Sequence, residues 1–205
     1  MAKYTIGLDY GTNSVRCLIV NVANGREAGT AVWDYEHGEN GVILSSDPNL
    51  ARQHPDDYVK GARESIKGAI ADAKQNLKSF KPDHVIGIGV DTTGSTPLPV
   101  DENGEPLAFK KKFARNPNAL AWLWKDHTSV AEAQEITELA EKMRPEYLAK
   151  CGGTYSSEWF FSKILHCLRV DPKVFAAAHT WVEIADWIPA MLCGCQAPGA
   201  YDASV

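Results

Sequence analysis

The sequence predicts an α/β fold: a three-strand antiparallel meander, a crossover helix, further strands and then a helical segment. Three observations predict it. Apolar runs at residues 4–9, 15–22 and 28–36 are joined by the polar turns Gly11-Thr12-Asn13-Ser14 and Asn24-Gly25, the second a strong hairpin signal. Tyr58, Ala62, Ile66, Ala69, Ala73 and Leu77 then recur at three- to four-residue spacing, the period of an amphipathic helix. Residues 84–91, His-Val-Ile-Gly-Ile-Gly-Val-Asp, form a nearly continuous apolar run, as expected of a strand covered on both faces.

The elements follow in order. The first two strands flank a turn of small polar residues, and the third closes the meander. A polar loop containing Pro48 runs from His37 to His54. Pro55 opens the long helix, since proline is welcome in a first turn, and the pattern carries it to about Ser79 before Lys81-Pro82-Asp83 ends it. After the apolar strand, Thr96 to Asp101 forms another, closed by Asp101-Glu102-Asn103-Gly104. From Asn118 the pattern turns helical and tryptophan-rich, with helices expected near 118–142, 145–150, 156–169, 172–178 and 184–192. Residues 1–205 are expected to form one domain with a helical insertion.

Composition narrows the function. Hydrophobic residues make up 44% and charged residues 23% of the 205, ordinary values for a soluble protein with a sizeable core. The net charge of −5 and the lack of an arginine-rich helix argue against a nucleic-acid partner; Lys110-Lys111-Lys112, the one basic run, reads as a solvated loop. No apolar run is long enough to cross a membrane, and Met-Ala-Lys-Tyr-Thr leads straight into a strand without a signal peptide. Five cysteines form no CxxC pair, which points to reduced thiols and a cytoplasmic setting.

Three constellations can carry chemistry. Asp9 ends the first strand, and Gly11, Thr12, Asn13 and Ser14 follow it. A carboxylate there either caps the turn or stands beside a cradle of donors for a nucleotide's phosphates and metal ion. The spacing is not that of a P-loop. Arg16 could neutralise phosphate charge or pair with a surface acid. Val90-Asp91-Thr92-Thr93-Gly94-Ser95-Thr96 places an acid and a hydroxyl-rich turn where α/β sheets bind ligands, although a plain glycine turn reads the same way. Trp122-Leu123-Trp124-Lys125-Asp126-His127 and Tyr155-Ser156-Ser157-Glu158-Trp159 suit a sugar pocket, against the commoner role of aromatic residues as core. No second His or Cys stands at ligand spacing from His127, which argues against a transition-metal site.

In this order the blocks resemble the amino-terminal part of the FGGY carbohydrate kinases, which share the ribonuclease-H-like core of the actin, Hsp70 and sugar-kinase superfamily. Asp9-Tyr10-Gly11-Thr12-Asn13-Ser14-Val15-Arg16 looks like the family's first phosphate motif. The ribulokinase branch is matched by Gly89 to Pro97, Asn116-Pro117-Asn118-Ala119, Leu123 to Thr128, Cys151 to Trp159 and Glu183 to Pro189. The resemblance covers about residues 4–194, and residues 195–205 depart from it.

It implies ATP-dependent phosphorylation of L-ribulose at its 5-hydroxyl, with Mg²⁺, in arabinose catabolism. By that resemblance Asp9 orients Mg²⁺ through water, and Gly11, Thr12, Asn13 and Ser14 contact the β- and γ-phosphates, with Arg16 a further candidate. Gly94, Ser95, Trp124, Asp126, Tyr155 and Glu158 line the ketopentose pocket. The general base, the second phosphate motif and the adenosine site are expected beyond residue 205, in a carboxy-terminal kinase domain. The chain alone is therefore expected to be inactive, and to self-associate through whatever apolar face that domain covers. Two rivals stand beside this reading: a non-catalytic sugar-binding or regulatory module, and a chaperone- or actin-like ATPase of the same superfamily.

Overall fold

Residues 2–199 are described in a computed structural model; the last six residues of the divergent 195–205 tail lie outside them. The chain divides into two units, residues 2–42 with 54–93 and residues 43–53 with 94–199.

In the first unit β1 (Tyr4–Tyr10), β2 (Ser14–Asn21) and β3 (Glu27–Asp34) form the expected antiparallel meander, and α1 (Pro55–Asn76) crosses over to β5 (Val85–Thr92). A two-residue strand between them, β4 (Arg52–Gln53), belongs to the second unit. The sheet order is β3-β2-β1-β5, with β5 parallel to β1. Alternation decides which face is buried: Tyr4, Ile6, Leu8, Tyr10, Val15, Cys17 and Ile19 are buried, as are Tyr58, Ala62, Ala69 and Ala73 of α1, which packs on β2 and β3. Small residues allow the close approach. A Cβ on Gly29 would stand 2.5 Å from the Ala73 nitrogen and run into the Ala69 carbonyl oxygen.

The helix starts where Pro55 allows. His54 is its N-cap, and its Nδ1 accepts from the Asp56 N–H at 3.2 Å. Asp57, fully buried in the first turn, accepts from the N–H groups of Glu36 and His37 at 3.2 Å each. The helix ends at Asn76, short of Ser79. Leu77 is extended, the Phe80 N–H turns back to the Leu77 carbonyl, and the Phe80 ring meets Tyr4 edge-on with centroids 5.0 Å apart.

One expectation is corrected here. The run 84–91 is not covered on both faces: β5 is the last strand of its sheet, with Ile86 56% and Ile88 48% exposed. An apolar run records what a strand can bury, not what is present to bury it.

In the second unit β6 (Pro97–Val100) pairs with β8 (Thr180–Glu183), and β4 pairs with β7 (Ala121–Trp122), both antiparallel. Five helices are described in this unit: α2 (Val130–Met143), α3 (Pro145–Lys150), α4 (Phe160–Val170), α5 (Pro172–Ala177) and α6 (Ile184–Cys193). Its core gathers Leu107, Phe113, Ala119, Trp122, Cys167 and Val174. Both Cys17 and Cys167 are buried, and all five cysteines are free thiols. Lys110 bridges Asp101 and Glu105 at the surface, and Lys111 and Lys112 are exposed. Among the described residues no helix is long and apolar enough to cross a membrane.

The helix expected from 118 begins only at Val130. Residues 117–119 make a short 3-10 turn, held by the Asn116 side chain accepting from the Asn118 N–H at 2.9 Å. Trp122 is then drawn into the pairing with Arg52, whose guanidinium carbon lies 3.4 Å from the indole centroid. Tertiary pairing overrides the local helical pattern.

Candidate active site

The two hairpin strands place Asp9 opposite Arg16, and the side chains form an ion pair at 2.9 Å, the Arg16 side chain 57% and the Asp9 side chain 47% exposed. Such an exposed pair is worth at most about 1 kcal/mol, so Asp9 can exchange its partner for a stronger cation at small cost. The turn between the strands is tight, the Gly11 N–H donating to the Ser14 carbonyl at 3.0 Å. A Cβ at Gly11 would approach the Arg16 guanidinium to 3.0 Å. Asn13 spends its side-chain amide on the Asn40 carbonyl. Of the expected phosphate donors, the Gly11 amide and the Asn13 side chain are therefore engaged within the protein.

The sheet brings the acid of the second constellation, Asp91, beside the first, a pairing that the sequence reading did not make. Parallel pairing sets Gly7 beside Gly89 and Asp9 beside Asp91. Alternation puts all four on the face away from α1. There an open groove of about 540 Å³ is lined by Gly7, Asp9, Arg16, Thr30, Gly89 and Asp91 among others. A Cβ at Gly7 or Gly89 would meet nothing within 4 Å, so it would stand in the groove's open space. Two carboxylates near the strands' carboxyl ends, beside two positions that carry no side chain, are oxygen donors of the kind a hydrated Mg²⁺ would take. The signal was in the sequence as a repeated tripeptide pattern, Gly7-Leu8-Asp9 and Gly89-Val90-Asp91.

In the second unit the expected sugar residues separate into two groups. Trp124 is 39% exposed. His127 accepts or donates at Nδ1 with Ser157 Oγ at 3.0 Å, and its Nε2 lies 3.6 Å from Glu158 Oε1, so the Trp124 segment is tied to the 155–158 loop. The Tyr155 hydroxyl accepts from the Phe161 N–H at 3.1 Å, and its ring meets Trp159 edge-on. Burial raises the Tyr155 phenol above its ordinary range.

Asp126 stands apart. It is fully buried, pairs with Arg52, and accepts from the Ala51 N–H at 2.7 Å and the Thr128 hydroxyl at 2.6 Å. It is corrected from a sugar contact to an internal anchor, because both its oxygens are spent inside the protein.

Gly94 is open, with no atom within 4 Å of where its Cβ would stand, and Ser95 has a left-handed backbone at φ 55°. Beside them are two charged residues that sequence reasoning did not single out. Lys163 is fully buried on α4, and its Nζ donates to the carbonyls of Ser95 at 2.7 Å, Leu123 at 2.8 Å and Trp122 at 3.4 Å. Burial pushes the Lys163 ammonium down to about 7, while Glu183 pulls it up. Glu183 ends β8, and its Oε2 accepts from the Thr96 N–H at 2.7 Å. Burial raises this carboxyl against that hydrogen bond and Lys163. The available signal was a lysine on the buried stripe of α4, four residues before Cys167.

The model of the FGGY family of carbohydrate kinases, N-terminal domain, matches residues 4–204. The chain belongs to this family. A ribulokinase from Vibrio parahaemolyticus is 45% identical over 197 residues, 96% of this chain and 34% of its own length. One from Shouchella clausii is 40% identical over 199 residues, 95% of this chain and 35% of its own. The chain thus spans about a third of the length of these relatives. Among solved structures, a xylulose kinase from Brucella ovis superposes with a TM-score of 0.68 at 20% identity, over 90% of this chain and 33% of its own. One from Bifidobacterium adolescentis gives 0.67 at 15% identity, over 94% and 34%. These place the chain in the ribonuclease-H-like fold that the sugar kinases share.

Proposed function

We propose that the chain is the amino-terminal part of a cytoplasmic kinase that transfers the γ-phosphoryl group of ATP to the 5-hydroxyl of L-ribulose. The observation that carries this reading is the in-register pair Asp9 and Asp91 above Gly7 and Gly89, in a chain whose relatives are named ribulokinases. Phosphoryl transfer asks a protein for positioning and charge neutralisation more than for covalent chemistry. A bound Mg²⁺ supplies charge neutralisation on the phosphates.

Asp9, freed from Arg16 and with Asp91 beside it in register, would hold that ion through water. Thr12 and Ser14 offer hydroxyls to the β- and γ-phosphates, and Gly7 and Gly89 keep the floor clear. Arg16, freed from Asp9, faces the phosphates. Gly94, Ser95, Trp124, Tyr155 and Glu158 contact the ketopentose, the Trp124 ring against its carbon face and Glu158 accepting from hydroxyls. The proton of the reacting hydroxyl passes to a carboxylate base outside residues 1–205.

A coupled ADP-release assay with L-ribulose tests the reading on the full-length kinase containing this chain and on residues 1–205 alone. The expected result is turnover by the first and none by the second. ADP release by the short chain would refute the placement of the base. A full-length protein that binds L-ribulose without turnover would favour the sugar-binding module.

A further inference from the structure

Ser95 and Thr96 share one peptide unit, and the protein grips it from both ends. The Ser95 carbonyl oxygen accepts from Lys163 Nζ at 2.7 Å, and the Thr96 N–H donates to Glu183 Oε2 at 2.7 Å. No cis peptide bond is present among the described residues, so the carbonyl and the N–H of this planar group point in opposite directions. A cation faces the negative end of the peptide dipole and an anion its positive end. Rotating the plane breaks both charge-assisted bonds together, and such bonds are roughly twice as strong as neutral ones.

The need for a grip lies next door. Ser95 is one of two non-glycine residues with positive φ among those described, and a left-handed L-residue persists only where its surroundings fix it. Pro97 follows Thr96 and has no N–H; just before β6 the Thr96 carbonyl accepts from the Ile184 N–H at 3.3 Å, and the Glu183 side chain takes the Thr96 N–H. The same ammonium reaches the Leu123 and Trp122 carbonyls, immediately before Trp124. One buried lysine therefore joins the two segments that carry Ser95 and Trp124. Burying it is costly unless its hydrogen bonds are all made, and a hydrocarbon side chain would have filled the space without that cost.

We propose that Lys163 and Glu183 are positioning residues for the sugar side of the site, clamping the Ser95–Thr96 peptide so that Ser95 and Trp124 are held in fixed register toward the ketose. The proposal rests on Ser95 and Trp124 being ketose contacts, as in the function proposed above. The clamp acts on sugar recognition and leaves the nucleotide side untouched, which separates it from a purely structural role.

The test is steady-state kinetics of the full-length kinase containing this chain, with L-ribulose and ATP varied in turn, for the wild type, Lys163→Met and Glu183→Gln. Lys163→Met is expected to raise the KM for L-ribulose by about tenfold or more, the scale of one lost charge-assisted hydrogen bond, with the KM for ATP within about twofold. Glu183→Gln keeps an acceptor for the Thr96 N–H but removes the anion. It is expected to raise the L-ribulose KM by about threefold, and it carries the test if Lys163→Met does not fold. An unchanged L-ribulose KM in a folded variant, or equal losses on both substrates, would overturn the clamp. A wild-type enzyme that turns over glycerol or D-xylulose but not L-ribulose would instead overturn the substrate reading, and the clamp would then stand or fall on the KM for the accepted sugar.

Discussion

Replacing Asp126 by Asn tests whether this residue is an anchor or a ligand. The side chain keeps its shape, so no cavity forms and the loss is one of charge and hydrogen bonding. In the protein the carboxylate accepts from the Ala51 N–H at 2.7 Å, the Thr128 N–H at 3.2 Å, the Thr128 hydroxyl at 2.6 Å and the Arg52 guanidinium. An amide in its place turns one acceptor into a donor that faces other donors, and it leaves Arg52 a buried cation without an anion. Breaking a buried pair this way costs about 3–5 kcal/mol, a large part of the 5–15 kcal/mol that usually holds a domain together. For a chain of this size the melting temperature should fall by roughly 6–20 °C. Thermal unfolding followed by circular dichroism measures it. Substituting Arg52→Met and Asp126→Leu together should restore part of the loss, since an apolar pair needs no counter-charge. Wild-type melting in Asp126→Asn, combined with a weakened affinity for L-ribulose, would refute the anchor and return Asp126 to the sugar site.

Three further outcomes follow from the geometry. Gly29→Ala should destabilise the protein by about 1–3 kcal/mol in chemical denaturation, because the new methyl meets the α1 backbone at Ala69 and Ala73; Gly7→Ala, with nothing nearby, should stay within about 0.5 kcal/mol of wild type. In the full-length kinase Asp9→Asn should lower kcat by about a hundredfold or more, as expected for a group acting on transition-state charge, while the loss of the Arg16 pair moves the melting temperature by no more than about 4 °C; unchanged turnover would remove Asp9 from the phosphate site. Asp171 gives a pH signature. Burial disfavours its charge, but hydrogen bonds from the Asn116 side chain, the Val174 N–H, the Asn118 side chain and the Lys173 N–H outweigh this and hold its carboxyl below the ordinary 3.8. Its stabilisation is therefore present above 3.8 and lost as pH falls through the lower folded-state value, so the stability gap between wild type and Asp171→Asn should be steady near pH 7 and close below about pH 4.

Much of the architecture could be read from local signals. The meander, the proline-led start of α1, and the helices α3, α5 and α6 all followed from turn chemistry and the helical pattern. What escaped depended on distant partners. Residues 118–129 looked helical because their apolar spacing is compatible with a helix, but the pairing with β4 takes Ala121 and Trp122 into a short strand, with a 3-10 turn before it and turns after it. Asp9 was legible because a carboxylate at a strand end followed by small polar residues is a local pattern, and Asp91 shares that pattern. Lys163 and Glu183 were not, since their roles are set by where backbone carbonyls and amides from other elements converge.

The outer edge of β5 has a consequence for how this chain behaves before it reaches its working state. Its backbone groups have no strand beside them among the described residues, and Ile86 and Ile88 stand half exposed on a segment with no Lys or Pro to blunt it. Such an edge is a template for further strand addition. A ribosome releasing this protein therefore exposes an adhesive strip once β5 has docked, and the yield of soluble protein should depend on how soon something shields it. Charged substitutions at Ile86 or Ile88 are the natural first step for anyone preparing residues 1–205 in quantity.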